Sequence, residues 1–320
     1  MNLINPSVEY IPQEQGLDGI YKQIELAGRN CYKSENKIIE NSAKAFVQRM
    51  IDSGHLAMLE HGTVYLEAKG EKYYNIFYRY LNNSYSKVNY AKSVVTDAIN
   101  IIDFPFRVTT NYRVLVENNW LDDLQYLCEP TEYHQRRITL KFTTNIGVTR
   151  EGNRHRVNSI AEESTRYCDY TKEKFNSGLN VCVPLWFSKE QIEKYENQNG
   201  HFELDEYMEN ILLNEPCDAL SDIDYYLFAM YACEFSYNNL IRLGWSPQQA
   251  REVLPLATKS DVVYTAFVND WRHFFDLRLV GTTGKPHPNM EQVAWLAQQE
   301  LIKNNLWDLI YDPNNKSDKI

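Results

Sequence analysis

The chain has 320 residues, of which 43% are hydrophobic and 24% charged, as in an ordinary globular protein. The formal net charge of −10 argues against general nucleic-acid binding, which requires a basic face. No segment has the length and apolarity of a membrane helix, and the N-terminus lacks the pattern of a signal peptide. We therefore expect a cytoplasmic protein with no membrane or nucleic-acid partner.

Apolar periodicity predicts strands and helices in the first part of the chain. Residues 3–11 and 63–68 alternate in the manner of strands, and residues 17–27 have apolar positions at helical spacing. A second helix is predicted over about 37–53, with Ser34 as a possible cap and Gly54 as its stop.

The stretch from about 69 to 137 is rich in Tyr and Asn and is interpreted as an insertion. No Gly/Ser/Pro linker brackets it, so we place it within one domain that covers residues 1–320. Residues 110–115 and 120–124 are predicted to be helical, which makes the insertion helical in character. A strand over 138–144 follows it.

The second half is dominated by helices. We predict a long amphipathic helix over 222–243 and a short helix that starts at Ser246-Pro247 and ends near Pro255. A strand is predicted over 262–268, and helices are predicted over 270–279 and 290–303. The tail over about 312–320 is expected to be frayed. The fold class is therefore α+β, with a mostly antiparallel sheet surrounded by helices. The cysteines and histidines lack metal-ligand spacing, so no metal is expected, and Cys217 is interpreted as structural.

The segment 154–167 is the most informative part of the chain. It reads Arg-His-Arg, seven residues and then Ser164, and it holds three arginines, two carboxylates and three serine or threonine hydroxyls. Guanidinium forks and a serine hydroxyl suit a phosphate. The alternative is a basic helix edge whose arginines pair with Glu162 and Glu163.

This motif resembles the signature of the flavin-dependent thymidylate synthases. Further segments resemble other parts of that family: residues 249–256 with Arg251, residues 271–278 with Arg278, and, near the N-terminus, His55, Glu60-His61 and residues 29–32. The resemblance implies the family fold and a homotetramer with active sites shared between subunits. It also implies methylation of dUMP to dTMP with FAD as the cofactor and NADPH and methylenetetrahydrofolate as co-substrates.

The resemblance assigns roles to individual residues. Arg278 would stabilise charge on the uracil ring, and Ser164 would donate a hydrogen bond without acting as a nucleophile. The implied dUMP contacts are Glu151, Arg154, Glu162, Glu163, Ser164, Thr165, Arg166, Arg251 and Arg278. The implied FAD contacts are His55, Glu60, Arg154, His155, Arg156, Glu162, Asn269 and His273.

Three positions depart from the family pattern. Glu151 stands where Gln is frequent, Ala161 where Asn is frequent, and residues 267–269 replace an Asn-x-Arg pattern. The flavin-adenine contacts are therefore open, with Asn111 and Arg113 of the insertion as candidates. Two alternative functions also stay open: a flavin-dependent dUMP hydroxymethylase, and a non-catalytic nucleotide-binding protein that retains the fold.

Overall fold

The computed structural model describes residues 1–69, 73–89, 105–175, 178–197 and 221–311. The strands are β1 (Asn2–Ile4), β2 (Ser7–Tyr10), β3 (Thr63–Lys69), β4 (Lys87–Asn89), β5 (Pro105–Asn111), β6 (Arg137–Asn145), β7 (Ser159–Glu162), β8 (Asn180–Cys182) and β9 (Lys259–Phe267). The α-helices are α1 (Gly16–Tyr32), α2 (Ser42–Asp52), α3 (Tyr74–Leu81), α4 (Tyr112–Glu117), α5 (Ile146–Gly152), α6 (Lys189–Asn197), α7 (Asp222–Arg242), α8 (Pro247–Ala250), α9 (Val268–Phe275), α10 (Pro288–Lys303) and α11 (Trp307–Tyr311).

A four-stranded antiparallel sheet in the order β2-β6-β9-β7 forms the centre of the protein. On one face, Trp271 and Phe274 of α9 pack against Phe142 of β6, and α10 adds further apolar side chains. On the other face, α1 and a 3₁₀-helical segment, Leu56–His61, lie against β7 and β9. The fold is thus mixed helix and antiparallel sheet, which confirms the predicted α+β class.

The insertion contains strands as well as the predicted helices. Strand β5 pairs with β3 along its whole length, from Thr63 opposite Asn111 to Lys69 opposite Pro105, and β4 pairs with the other edge of β5. Residues 110–115 therefore divide between the end of β5 and α4, and residues 121–126 form a 3₁₀ helix. Residues 70–72 and 90–104 lie outside the described parts of the chain.

Two predicted elements near the N-terminus are wrong in their extent. The single strand over 3–11 is broken at Pro6, because the chain leaves its parallel pairing with β8 and begins antiparallel pairing with β6. The helix over 37–53 begins only at Ser42. Asn41 precedes it with a left-handed φ of 65°, a conformation that no α-helix can include.

The C-terminal elements lie close to their predicted positions. Helix α7 starts with a capping box formed by Ser221 and Asp224, and Gly244 follows its end with φ 95°. Helix α9 continues into a π-helical turn, Asp276–Val280, and Gly281 stops it with φ 75°. No helix of the described residues is long and apolar enough to cross a membrane. Cys217 and the tail 312–320 lie outside the described residues.

Gly152, the last residue of α5, provides a test of the packing that holds the motif. A Cβ atom at this position would lie too close to the hydroxyl oxygen of the buried Tyr264. We expect Gly152→Ala to lower the free energy of unfolding by about 1–3 kcal/mol, as overpacking does. In a Tyr264→Phe background the loss should be smaller, because the clashing oxygen is gone. Urea denaturation measures both; equal losses in the two backgrounds would contradict this contact.

Candidate active site

The motif is held between helix α5 and the edge strand β7. The side chain of Asn145 caps α5 by accepting a hydrogen bond from the Val148 amide at 2.8 Å. After Gly152 the chain makes a turn in which the His155 amide donates to the Gly152 carbonyl at 3.0 Å. Residues 159–162 then pair with β9. The motif is therefore turn and strand, and the alternative of a basic helix edge is wrong.

Arg278, in the π-helical turn, contacts His155 of the motif and Glu151 of helix α5. Its Nε donates to His155 Nε2 at 3.1 Å, its Nη1 to Glu151 Oε2 at 3.1 Å and its Nη2 to the Glu151 carbonyl at 3.0 Å. Burial, with the charges of Arg278 and His273, lowers the pKa of His155 to about 4. The imidazole is therefore neutral at pH 7, and Nε2 is free to accept from the guanidinium.

An open groove of about 800 Å³ runs past this group of residues. Six of the predicted site residues line it: Glu151, Arg154, His155, Arg156, His273 and Arg278. Its other wall is the loop over 283–287, which brings Lys285 to the groove. This loop was not predicted from the sequence as part of the site. The available signal was the pair of glycines at 281 and 284, which take φ 75° and 140° in the structure.

The two motif carboxylates face away from the motif arginines. Glu162 accepts hydrogen bonds from Thr149 Oγ1 at 2.6 Å, Asn153 Nδ2 at 3.0 Å and Ser260 Oγ at 3.0 Å. These bonds connect the end of β7 with α5 and β9. Glu163 is buried and accepts from Lys259 Nζ at 2.8 Å. Both carboxylates thus support the backbone of the motif.

Ser164 lies two residues beyond Glu162, after the C-terminal end of β7. Its amide donates to the Cys31 carbonyl at 2.9 Å, and its Oγ accepts from the Arg166 amide at 3.3 Å, which leaves the hydroxyl proton free to donate. Thr165 is half-buried beside it. The exposed Arg166 side chain donates to Gln248 of α8 at 3.1 Å, and the exposed Arg251 follows the end of that helix.

The N-terminal candidates lie in a different part of the structure. His55 is exposed at a cavity of about 780 Å³ whose wall also includes Arg29, Lys33 and Arg49. Glu60 pairs with Arg113 of the insertion at 2.6 Å, so the structure does bring these two candidates together.

Two further residues named from the resemblance, His61 and Asn269, differ in burial. His61 is a buried core residue bonded to Thr265 Oγ1 at 2.8 Å, and burial lowers its pKa to about 3. Asn269 is exposed in the first turn of α9.

The contact between Arg278 and His155 is expected to be visible in the titration of the imidazole. Removal of the neighbouring cation by Arg278→Ala should raise the pKa of His155 from about 4 towards the ordinary 6.5. Arg272→Ala removes a neighbouring arginine that stacks over Tyr311 and serves as the control. NMR of the imidazole C–H signals measures the change; an unchanged His155 pKa in the Arg278 variant would contradict the contact.

The same shift predicts how stability depends on pH. The pKa of His155 is lower in the folded protein than in the unfolded chain, so its contribution to the free energy of unfolding is complete above pH 6.5. This contribution is lost as the pH falls from 6.5 towards 4, because the unfolded chain binds the proton first.

Comparison with known proteins identifies the family. The model of the family described as thymidylate synthase complementing protein matches residues 118–304, which is more than half of the chain. The match includes the whole motif and both Arg251 and Arg278. Similar solved structures include the UMP/dUMP methylase PolB from Streptomyces cacaoi with 5-Br dUMP, at 15% identity over 95% of this chain and 93% of that chain, with a TM-score of 0.41. The same methylase with 5-Br UMP matches at 14% identity over 95% and 92% of the two chains, with a TM-score of 0.40.

No curated protein matches the chain significantly in a sequence search. Because the family match spans residues 118–304, the chain belongs to the thymidylate synthase complementing protein family, the flavin-dependent thymidylate synthases that its motif predicted.

Proposed function

We propose that this protein methylates carbon-5 of dUMP to form dTMP, with the carbon from methylenetetrahydrofolate and the electrons from NADPH through FAD. The observation that carries the proposal is Arg278, held by Glu151 and the neutral His155 at the groove lined by Arg154 and Arg156. Membership of the thymidylate synthase complementing protein family points to the same substrate.

Arg278 is suited to act on the uracil ring. Three of its five N–H groups are used by His155 and Glu151, which fix the plane of the guanidinium. Two N–H groups remain for a substrate carbonyl. A preorganised cation at the ring edge would stabilise the negative charge that develops as carbon-5 becomes nucleophilic. Because His155 is neutral, it holds Arg278 by a hydrogen bond without cancelling the positive charge of the guanidinium.

The groove residues fit a flavin nucleotide. Arg154 and Arg156 are exposed, and no carboxylate of the described residues pairs with them, so their charges are available to an anionic ligand. FAD, when bound, would supply the redox chemistry by which the transferred carbon becomes a methyl group. Arg154, Arg156 and His155 would then bind and orient it. His273, His55, Glu60 and Asn269 are further candidate flavin contacts.

The phosphate of dUMP would be bound by the group around Ser164. The Ser164 hydroxyl can donate while its oxygen accepts from the Arg166 amide. Positive charge comes from Arg166, which is bonded to Gln248 of α8, and from Arg251, which follows the end of that helix. The groove at Arg278 is not lined by these residues. A complete nucleotide site would therefore combine Arg278 of one chain with Ser164 of another, in the homotetramer that the resemblance implies.

The decisive experiment is incubation of the purified protein with FAD, dUMP, methylenetetrahydrofolate and NADPH, followed by mass spectrometry of the nucleotide. A methylated product is expected. A hydroxymethylated nucleotide would favour the related hydroxymethylase. A protein that binds dUMP but forms no product, and whose visible spectrum shows no bound flavin after reconstitution, would be a non-catalytic nucleotide-binding protein.

The proposed phosphate contacts make a separate prediction. Arg166→Ala and Arg251→Ala should each weaken dUMP binding by at least roughly tenfold, because a hydrogen bond to a charged group contributes about 1.5–3 kcal/mol. Deoxyuridine binding should hardly change. Arg242→Ala, which removes an exposed arginine that donates to Asn239 within α7, is the control. Titration calorimetry with both ligands measures the effect; equal weakening of nucleotide and nucleoside binding would show that these arginines are structural.

A further inference from the structure

A buried cluster of four charged side chains includes Glu163, the residue that precedes Ser164. Lys259 Nζ donates to Glu163 Oε2 at 2.8 Å and to Asp261 Oδ2 at 2.7 Å. Lys33 Nζ also pairs with Asp261, and it lies 3.7 Å from Glu163 Oε2. All four side chains are at most 13% exposed. Two ammonium groups and two carboxylates balance one another within the cluster. At its more exposed edge, Glu35 pairs with Lys33 at 3.3 Å and Lys141 lies 4.0 Å from Asp261, so one further charge of each sign leaves the balance unchanged.

The hydrogen bonds of Glu163 occupy both of its carboxylate oxygens. Oε2 accepts from Lys259 and from the Asp261 amide at 3.3 Å, and Oε1 accepts from the Tyr170 hydroxyl at 3.3 Å. The residue is only 4% exposed. A nucleotide could reach this carboxylate only by displacing a buried partner, so direct contact with a ligand is disfavoured.

The cluster is coupled to Ser164 through the backbone. The Glu163 amide donates to the Asp261 carbonyl at 2.7 Å, and the next amide, that of Ser164, donates to the Cys31 carbonyl at 2.9 Å. Cys31 is two residues before Lys33, at the end of α1. Two backbone hydrogen bonds therefore hold the segment at Ser164, one to β9 and one to the end of α1. Asp261 of β9 belongs to the ion cluster, and Lys33 of the cluster directly follows α1.

We propose that Glu163, with Lys259, Asp261 and Lys33, is a positioning unit that fixes Ser164, and that Glu163 itself does not contact the nucleotide. This inference rests on the proposed function in one respect, because it takes Ser164 as a phosphate contact. It replaces the contact with dUMP that the resemblance implied for Glu163. Lys33 also lines the cavity that contains His55, so the unit extends from that cavity to Ser164.

A double-mutant cycle on dUMP affinity tests this role. Glu163→Gln should weaken dUMP binding by about tenfold in the parent protein and hardly at all in a Ser164→Ala background, because it acts through Ser164. Glu67→Gln is the matched control, since Glu67 pairs with Arg107 at 2.7 Å in the separate three-stranded sheet. An equal loss in both backgrounds would mean that Glu163 contacts the nucleotide directly, which overturns the proposal.

Loss of one charge from the buried cluster can prevent folding, so a second variant is needed. Glu163→Gln combined with Lys259→Met restores the charge balance while the anchor of Ser164 is still absent. We expect this variant to fold and to retain the loss of dUMP affinity. Wild-type affinity in the folded double variant would overturn the positioning role.

Hydrogen exchange separates this inference from the proposed function. The Ser164 amide should exchange about tenfold faster in the Glu163→Gln variant, or in its charge-balanced form, while the amides of β6 keep their protection. If the parent protein fails to bind dUMP, the proposed function is wrong, but the exchange rate still decides whether Glu163 fixes Ser164. An unchanged rate at Ser164 would overturn the inference.

Discussion

The register of strand β9 is the constraint on which the rest of the site depends. Because side chains alternate along a strand, Lys259, Asp261 and Thr265 share one face of β9. Lys259 binds Glu163, Asp261 binds Lys33, and Thr265 binds His61. Ser260 and Tyr264 share the opposite face and bind Glu162 and Asn153. A shift of one residue would exchange the two faces and separate every one of these partners. Pairing with both β6 and β7 prevents that shift.

An acidic chain can still present sites for anions, because its positive charges are distributed unevenly. The net charge is −10, yet the groove at Arg278 also exposes Arg154, Arg156 and Lys285. The carboxylates of the motif are turned inward, where lysine and hydroxyl groups satisfy them. These two carboxylates therefore add no negative charge to the groove, where Glu151 is paired with Arg278, and the local excess of arginine and lysine favours anionic ligands although the net charge of the protein does not.

The sequence predicted the elements that carry a clear period or cap, such as β6 and helix α7. The family resemblance assigned six residues that line one groove, three of them in the motif. It did not predict β7, because a four-residue edge strand that ends in Glu162 has too few apolar positions to show alternation. Strand β5 was missed because its pairing with β3 joins segments about 40 residues apart in the chain, which no local pattern shows. The contact between Lys33 and Asp261 joins residues 228 positions apart, and no local pattern encodes such a pair.

The buried ion cluster is better explained by geometry than by stability. Removal of two lysines and two carboxylates from water is unfavourable, and apolar residues of similar volume would often be as stable or more so. Nearby charges nevertheless outweigh burial here: Lys259 and Lys33 hold the pKa of Asp261 well below its ordinary value. Ion pairs require particular partners at particular distances, whereas an apolar core tolerates many arrangements. Such specificity is useful in a segment that must hold one hydroxyl group in a fixed position, and the segment with Ser164 is of this kind.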